Sequence, residues 1–302
     1  MIYFISDLLY ARKHDQGISY GGLAWTPHEV KLALSTGIVF VPALNPDGIH
    51  WDQTTNSCWR KNRNPRDANS NPLSIGVDLN RNFDFAWDSV KEWSSTISPA
   101  STNPAAQNFR GSRPFSEAES QVSKWIADTY RNIRYYLDIH SYTGAIIYGP
   151  GSDELQDKDR NENFKNPAYN SVRGEIPNSD RGTYAEYIAR EDWQARTYIS
   201  TRVAQAADGA TGRHYEAIAG AYLYPTSGGS NDYFSTRFQH NSTHNKIHGF
   251  TIEFGFGNTQ ASCPFYPSEE QYRQNLLETN AAFMELLLAA RDVGLGSGSG
   301  DC

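Results

Sequence analysis

Cysteine, methionine and surplus positive charge are scarce in this chain. Its 302 residues include three cysteines and two methionines, and 27 Lys and Arg stand against 34 Asp and Glu, for a formal net charge of −7. Without a basic field there is nothing to hold a phosphate backbone, which argues against nucleic acid as a partner. No run approaches the ~18 apolar residues that a bilayer span requires, so no membrane partner is expected. The apolar opening from Met1 to Leu9 is broken by Asp7 and has neither a basic residue ahead of it nor a small-residue cleavage site, so it does not read as a signal peptide. Cys58, Cys263 and Cys302 are too few for a disulfide framework and too scattered for a metal knuckle, leaving room for one disulfide and one spare thiol. The lone sequon Asn241-Ser242-Thr243 would suit a secreted chain but constrains the compartment weakly.

Helical and strand patterns alternate without internal repeats, which favours α/β, and the length suits two domains or one large α/β layer structure. The apolar, β-branched run 37–44 reads as a buried strand stopped by the turn signal Asn45-Pro46-Asp47-Gly48. Tyr135 to His140 and Phe250 to Gly255 read the same way. Ser116-x-x-Glu119 predicts a capping box, with Val122, Trp125, Ile126, Tyr130 and Ile133 on one helical face. Ser268-x-x-Gln271 opens a second helix that runs to Arg291 before Gly294 stops it, and a third spans about Trp193 to Ala207. Two long polar stretches, 88–107 and 153–182, exceed usual loop lengths and read as lids or surface insertions. The tail 294–302 is flexible by composition, and its G-x-G follows a helix, so it carries no dinucleotide signal.

Several segments carry chemistry. Trp59-Arg-Lys-Asn-Arg63 and Val77-Asp-Leu-Asn-Arg-Asn-Phe83 place Arg60, Arg63 and Arg81 beside amide side chains. That reads either as a solvated basic face or as a carboxylate-recognition site, since an Arg fork matches a carboxylate in two parallel bonds. Glu253 lies inside an apolar strand pattern, where an ionised carboxylate is costly, so it sits at an exposed sheet edge or is functional. His140 ends an apolar strand, as a satisfied rim residue or as a ligand. Tyr224-Pro-Thr-Ser-Gly-Gly-Ser-Asn-Asp232 alone says only mobile loop.

Asn-Pro-Asp-Gly, Trp-Arg-Lys-Asn-Arg, Gly-Val-Asp-Leu-Asn-Arg-Asn-Phe, Asp-Ile-His-Ser-Tyr, Tyr-Pro-Thr-Ser-Gly-Gly-Ser-x-Asp and Thr-Ile-Glu-Phe, in that order, resemble the zinc metallocarboxypeptidases of the carboxypeptidase A type, peptidase family M14. The resemblance runs from Met1 to about Arg291. It implies a doubly wound mixed sheet flanked by helices, an α/β/α sandwich, forming one catalytic domain over 1–293 with an insertion at about 153–182. It further implies hydrolysis of the C-terminal peptide bond of peptides with one zinc ion, peptide or protein C-termini as partners, a monomer, and an extracellular location. By the same resemblance His140 is a zinc ligand, Glu253 the general base and Arg63 the oxyanion donor. Asn80, Arg81 and Tyr224 would hold the substrate's carboxylate, joined by Arg60; Asp78 would orient a zinc-binding histidine. Asn231 stands where the C-terminal side chain is selected, and its neutrality predicts a neutral side chain there.

The resemblance departs at one motif. The family's first two zinc ligands come from a His-x-x-Glu upstream of Asn-Pro-Asp-Gly, and none of the eight histidines here has a Glu three places on. One imidazole does not hold catalytic zinc specifically. The expectation is therefore a catalytic domain truncated at its N-terminus, lacking its N-terminal strands, inactive as given and marginally stable alone, because neighbours of a missing strand keep unpaired backbone groups. The alternatives are a non-catalytic module that binds peptide C-terminal carboxylates, and a rewired enzyme in which His14 or His28 stands in as a ligand.

Overall fold

The computed structural model describes residues 1–176 and 184–294. Seven helices and eight strands are assigned there: α1 (Ile2–His14), β1 (Ile18–Tyr20), β2 (Leu23–Trp25), α2 (Pro27–Leu34), α3 (Pro46–Thr55), α4 (Ala118–Thr129), β3 (Tyr135–His140), β4 (Ala145–Tyr148), β5 (Leu155–Gln156), β6 (Glu186–Tyr187), α5 (Arg190–Thr211), β7 (Glu216–Ala219), α6 (Ser230–His240), β8 (His248–Glu253) and α7 (Glu269–Val293). The tail assigned to 294–302 lies outside the described residues beyond Gly294, as does part of the insertion at 153–182.

The main sheet has the order β3-β8-β4-β7. β3 and β8 are parallel, β4 runs antiparallel to β8, and β7 is parallel to β4. Helices cover both faces, so the sheet is mixed and flanked as the family resemblance implied. On one face a core of Phe4, Ile199, Val203, Phe250, Ile252, Phe283 and Met284 joins the sheet to α1, α5 and α7. On the other, Phe83, Phe85, Trp93, Tyr233 and Phe234 form a second core, and Tyr136 stacks on Phe234. Each such side chain stabilises by roughly 1.5–3 kcal/mol relative to exposure. Alternation along β3 and β8 sorts their side chains: Leu137, Phe250 and Ile252 face the first core, whereas Asp138, His140 and Glu253 share the face of Tyr136.

The capping signals are only partly realised. Ser268 and Gln271 close a full capping box on α7, and Thr26 with Glu29 does the same on α2 behind Pro27. Ser116 does not cap α4. Its hydroxyl donates to Glu117 and accepts from Asn82, and the helix begins after Glu117. Nor does α4 bury its apolar stripe: Ser120, Ser123 and Ala127 face inward, while Val122, Trp125 and Tyr130 are exposed. Asn45-Pro46-Asp47-Gly48 is a helix start rather than a turn, with the Asn45 side chain accepting from the Gly48 N–H and Pro46 in the first turn.

The predicted strand at 37–44 does not form. A strand exists only where a neighbour takes its N–H and C=O groups. Here the segment is irregular, bending at Pro42 and Leu44, with Ile38, Val39 and Val41 exposed. The two long polar stretches are not free lids where described: Trp93 bridges Arg173, Ser94 N–H donates to Arg173 O, and both Trp93 and Arg173 are buried.

Cys58 and Cys263 form a disulfide across 205 residues of sequence. Closing so long a loop restricts the unfolded chain, so a Cys58→Ser, Cys263→Ser double variant is expected to lose about 3 kcal/mol of stability in a urea titration. An unchanged midpoint would show that the bridge contributes nothing.

Candidate functional site

The carboxyl ends of β3 and β8 place His140 directly opposite Glu253 in register. Such ends are where open α/β sheets gather ligands. His140 Nε2 lies 3.0 Å from Asp138 Oδ2, and Ser230 Oγ donates to the same carboxylate oxygen. Burial disfavours the imidazolium, but the adjacent Asp138 carboxylate outweighs it and the His140 pKa is raised. Burial likewise pushes Asp138 up, and His140 overrides it, holding the carboxyl at about 2. Burial raises the Glu253 pKa, with His140 and Arg60 only restraining the rise. Glu253 is therefore a better proton acceptor than an exposed glutamate would be.

Arg60 and Arg63 part company. Arg60 Nε donates to Asp78 Oδ2 at 2.7 Å, and it is close enough to Glu253 and Tyr224 to feel their charge. Asp78 is buried, which raises its pKa, but Arg60 and Arg81 reverse the shift and leave it lowered. Arg63 stacks 3.9 Å from the Trp51 ring centroid and 4.6 Å from that of Trp59. The guanidinium beside Glu253 is thus that of Arg60, and Arg63 lies on the tryptophans.

Asp78 starts the short 3-10 turn Leu79–Arg81, its Oδ1 accepting from the Asn80 N–H. That turn aims Asn80 and Arg81 at the loop before α6. The Asn80 side-chain oxygen accepts from the Ser230 N–H at 2.8 Å, and its amide nitrogen lies 3.5 Å from His140 Nε2. Arg81 is 5% exposed. Its Nε donates to Pro99 O and its Nη1 to Asn80 O, while Nη2 makes no hydrogen bond, and the guanidinium no ion pair, with a described residue. It lies 5.9 Å from the ring centroid of Tyr224, which is half-exposed. Asn231 is buried in the first turn of α6 and accepts from Ser235 Oγ. Beside it, burial raises Asp232 to about 6 although Gly151 N–H and Thr226 donate to it.

His140, Glu253, Arg60, Asp78, Asn80, Arg81 and Tyr224 thus gather at one end of the sheet, Asn231 lies behind them, and Arg63 stands aside. Sequence reasoning alone does not single out Asp138 or Ser230. A signal for Asp138 exists, since residues two apart on a strand share a face and Asp138 precedes His140 by two. Ser230 has none.

The chain matches the family model described as zinc carboxypeptidase, Peptidase_M14, over residues 19–282. It belongs to that family, whose members are zinc-dependent. Human mast cell carboxypeptidase A is 37% identical over 122 residues, 40% of this chain and 27% of that protein. Bovine carboxypeptidase B is 39% identical over 109 residues, covering 36% and 24%. An inactive metallocarboxypeptidase ECM14 of Ajellomyces capsulatus is 31% identical over 152 residues, covering 49% and 23%. The chain therefore spans about a quarter of the length of the curated relatives it matches. Among solved structures, thrombin activatable fibrinolysis inhibitor aligns over 97% of this chain and 57% of its own, with a TM-score of 0.62 at 18% identity. The carboxypeptidase A of Helicoverpa armigera aligns over 83% and 51%, with a TM-score of 0.56 at 24% identity. At these identities the likeness concerns the fold.

Among the described residues no group of three or more His, Cys, Asp or Glu side chains is placed to hold a metal. At the strand ends the donors are one imidazole, already paired through Nε2, and Glu253 opposite it. Catalytic zinc takes three protein ligands and an open position. The described side chains do not by themselves make up that set. His14 belongs to α1 and His28 to α2, on elements remote in sequence from His140.

Proposed function

We propose that this chain is a carboxypeptidase-like module that captures the free C-terminal carboxylate of a peptide or protein, with Arg81 as its anchor and Asn80 and Tyr224 beside it. One observation carries the reading. Arg81 is a nearly buried guanidinium that makes no direct ion pair with a described residue and leaves Nη2 uncommitted, although Asp78 is near enough to be lowered by it. A buried guanidinium with a donor left unmatched is costly, and a peptide carboxylate supplies the acceptor in a charge-assisted pair. Asn231 favours a neutral side chain on the captured residue.

Hydrolysis of the C-terminal bond is the second reading, favoured by the raised Glu253 beside His140 and Arg60. Glu253 would take and return the proton, and the family resemblance gives Arg63 the oxyanion role. The described side chains do not complete a zinc centre, and one relative is itself described as inactive. The reading is thus of an inactive chain that retains carboxylate recognition. An extracellular monomer is proposed with it, and the Cys58–Cys263 disulfide suits an oxidising compartment.

The test is calorimetric titration with an acetylated tetrapeptide ending in phenylalanine, as free acid and as amide. Micromolar binding of the acid, and at least ten-fold weaker binding of the amide, is the expected result. Equal binding of both would defeat the reading. Release of free phenylalanine in the presence of added zinc would favour hydrolysis instead.

A further inference from the structure

The fold presents the sequon Asn241-Ser242-Thr243 instead of hiding it. All three residues are exposed, and they lie in the turn that leaves α6, outside every helix and strand. Such a tripeptide is no acceptor where burial, regular structure or a middle proline withholds its amide, and none of the three applies here. The Asn241 N–H donates to Arg237 O and ends the helix, and the His244 N–H donates to Asn241 O at 2.9 Å and closes the turn. Arg131 Nη1, reaching from beyond the end of α4, donates to Thr243 O and holds the turn in place.

The side chains are committed selectively. The Thr243 N–H donates to Asn241 Oδ1 at 3.0 Å, an Asx-turn that occupies the amide oxygen. Asn241 Nδ2 and the Thr243 hydroxyl make no hydrogen bond with a described residue, so the acceptor nitrogen and the hydroxyl that a transferase reads are both free. The neighbouring contacts are polar: Lys165 Nζ donates to Gln239 O and His240 O, and His240 Nε2 lies 3.6 Å from Asp84. A hydrated chain of sugars suits such a surface. At the other end of α6, Ser230 donates to Asp138 in the candidate site, and the 11 residues of the helix, at about 1.5 Å each, set its two ends roughly 16 Å apart. A glycan on Asn241 therefore starts well clear of the peptide-binding end.

We propose that Asn241 is an N-glycosylation acceptor, taking an oligosaccharide from a lipid diphosphate donor. Asn241 Nδ2 bonds to the anomeric carbon, the anomeric C–O bond breaks with its electron pair leaving on the diphosphate, and Nδ2 gives up one proton. Such a transfer belongs to the oxidising compartment that the Cys58–Cys263 disulfide independently suits. The assignment rests on the turn and the disulfide and not on carboxylate capture, so either can fail alone.

The experiment expresses the 302-residue chain behind a cleavable secretion signal in insect cells and collects the secreted material whose Cys58–Cys263 bridge is closed. Its mass is measured before and after treatment with peptide N-glycosidase. The expected result is a fall in mass, with aspartate left in place of Asn241 in the sequenced peptide. Asn241→Gln and Thr243→Ala are expected to lose the mass change entirely, and Thr243→Ser to keep it. Thr243→Ala retains the backbone N–H of the Asx-turn and removes a hydroxyl with no partner among the described residues. Loss of the glycan there at an unchanged melting temperature thus reports recognition of the hydroxyl and not a change of fold. No mass change in the bridged parent chain, or one that survives in Asn241→Gln or Thr243→Ala, would overturn the proposal.

Discussion

Arg81→Ala is expected to weaken binding of a free-acid peptide by about 100-fold, roughly 2.7 kcal/mol, and to erase discrimination against the amide. The guanidinium already spends Nε on Pro99 O and Nη1 on Asn80 O, so its remaining donor is held in position before any ligand arrives. Lysine cannot reproduce that arrangement, since its ammonium is a point charge without a fork, and Arg81→Lys should recover only a small part of the loss. Because the two carbonyls also lose their donors, the alanine variant will be less stable. The ratio of acid to amide affinity, measured calorimetrically on chain shown to be folded, separates that effect from recognition. If the ratio persists in Arg81→Ala, the carboxylate is bound elsewhere.

The parts of this site that are legible in the sequence are those in which a motif and a strand coincide. Asp-Ile-His and Thr-Ile-Glu each end an apolar run, and two such runs paired in parallel bring His140 and Glu253 into register. Asn80 and Arg81 are legible because Asp78 in the same motif caps the turn that aims them. The difference between Arg60 and Arg63 is not legible. Three residues apart in an irregular segment, they diverge because Asp78 takes the first and the Trp51 and Trp59 faces take the second, and only the tertiary fold decides that. The departure at 37–44 has a different origin. Its composition is that of a buried strand, but a strand is a property of pairs, and in the described chain a cavity of about 1090 Å³ lies between it and the far edge of β3. On α4, periodicity identifies an apolar stripe correctly, yet that stripe looks outward along Val122 and Trp125 because Asn82 draws Ser116 and Ser120 inward.

The pH dependence of stability should run against the usual carboxylate pattern, with stability rising by about 5 kcal/mol as pH falls from 8 to 5. Burial raises Asp153 to about 7, against the Gly174 N–H and Arg173, and raises Glu186 to about 8, against the donors Tyr184 and Phe164 N–H. A carboxyl whose pKa is higher folded than unfolded binds more protons in the native state over the interval between the two values. Its contribution is thus fully present below the unfolded value and is lost as pH rises through the folded one. Asp232, raised by burial to about 6, acts in the same direction. His248 opposes them: burial lowers it to about 3, so the unfolded chain takes up its proton first and stability falls as pH drops below the ordinary imidazole value. Three raised carboxyls against one depressed imidazole leave the net slope negative. Below about pH 4 the sign reverses, because Asp138, held at about 2, must then be protonated. Thermal melts at pH 5, 6.5 and 8 read the slope, and an Asp153→Asn, Glu186→Gln variant should flatten most of it, since both amides keep an oxygen to accept the Gly174 and Phe164 N–H groups. A melting temperature that stays level from pH 5 to 8 in the unmodified chain would mean that these two carboxyls are ionised in the folded state and reached by water.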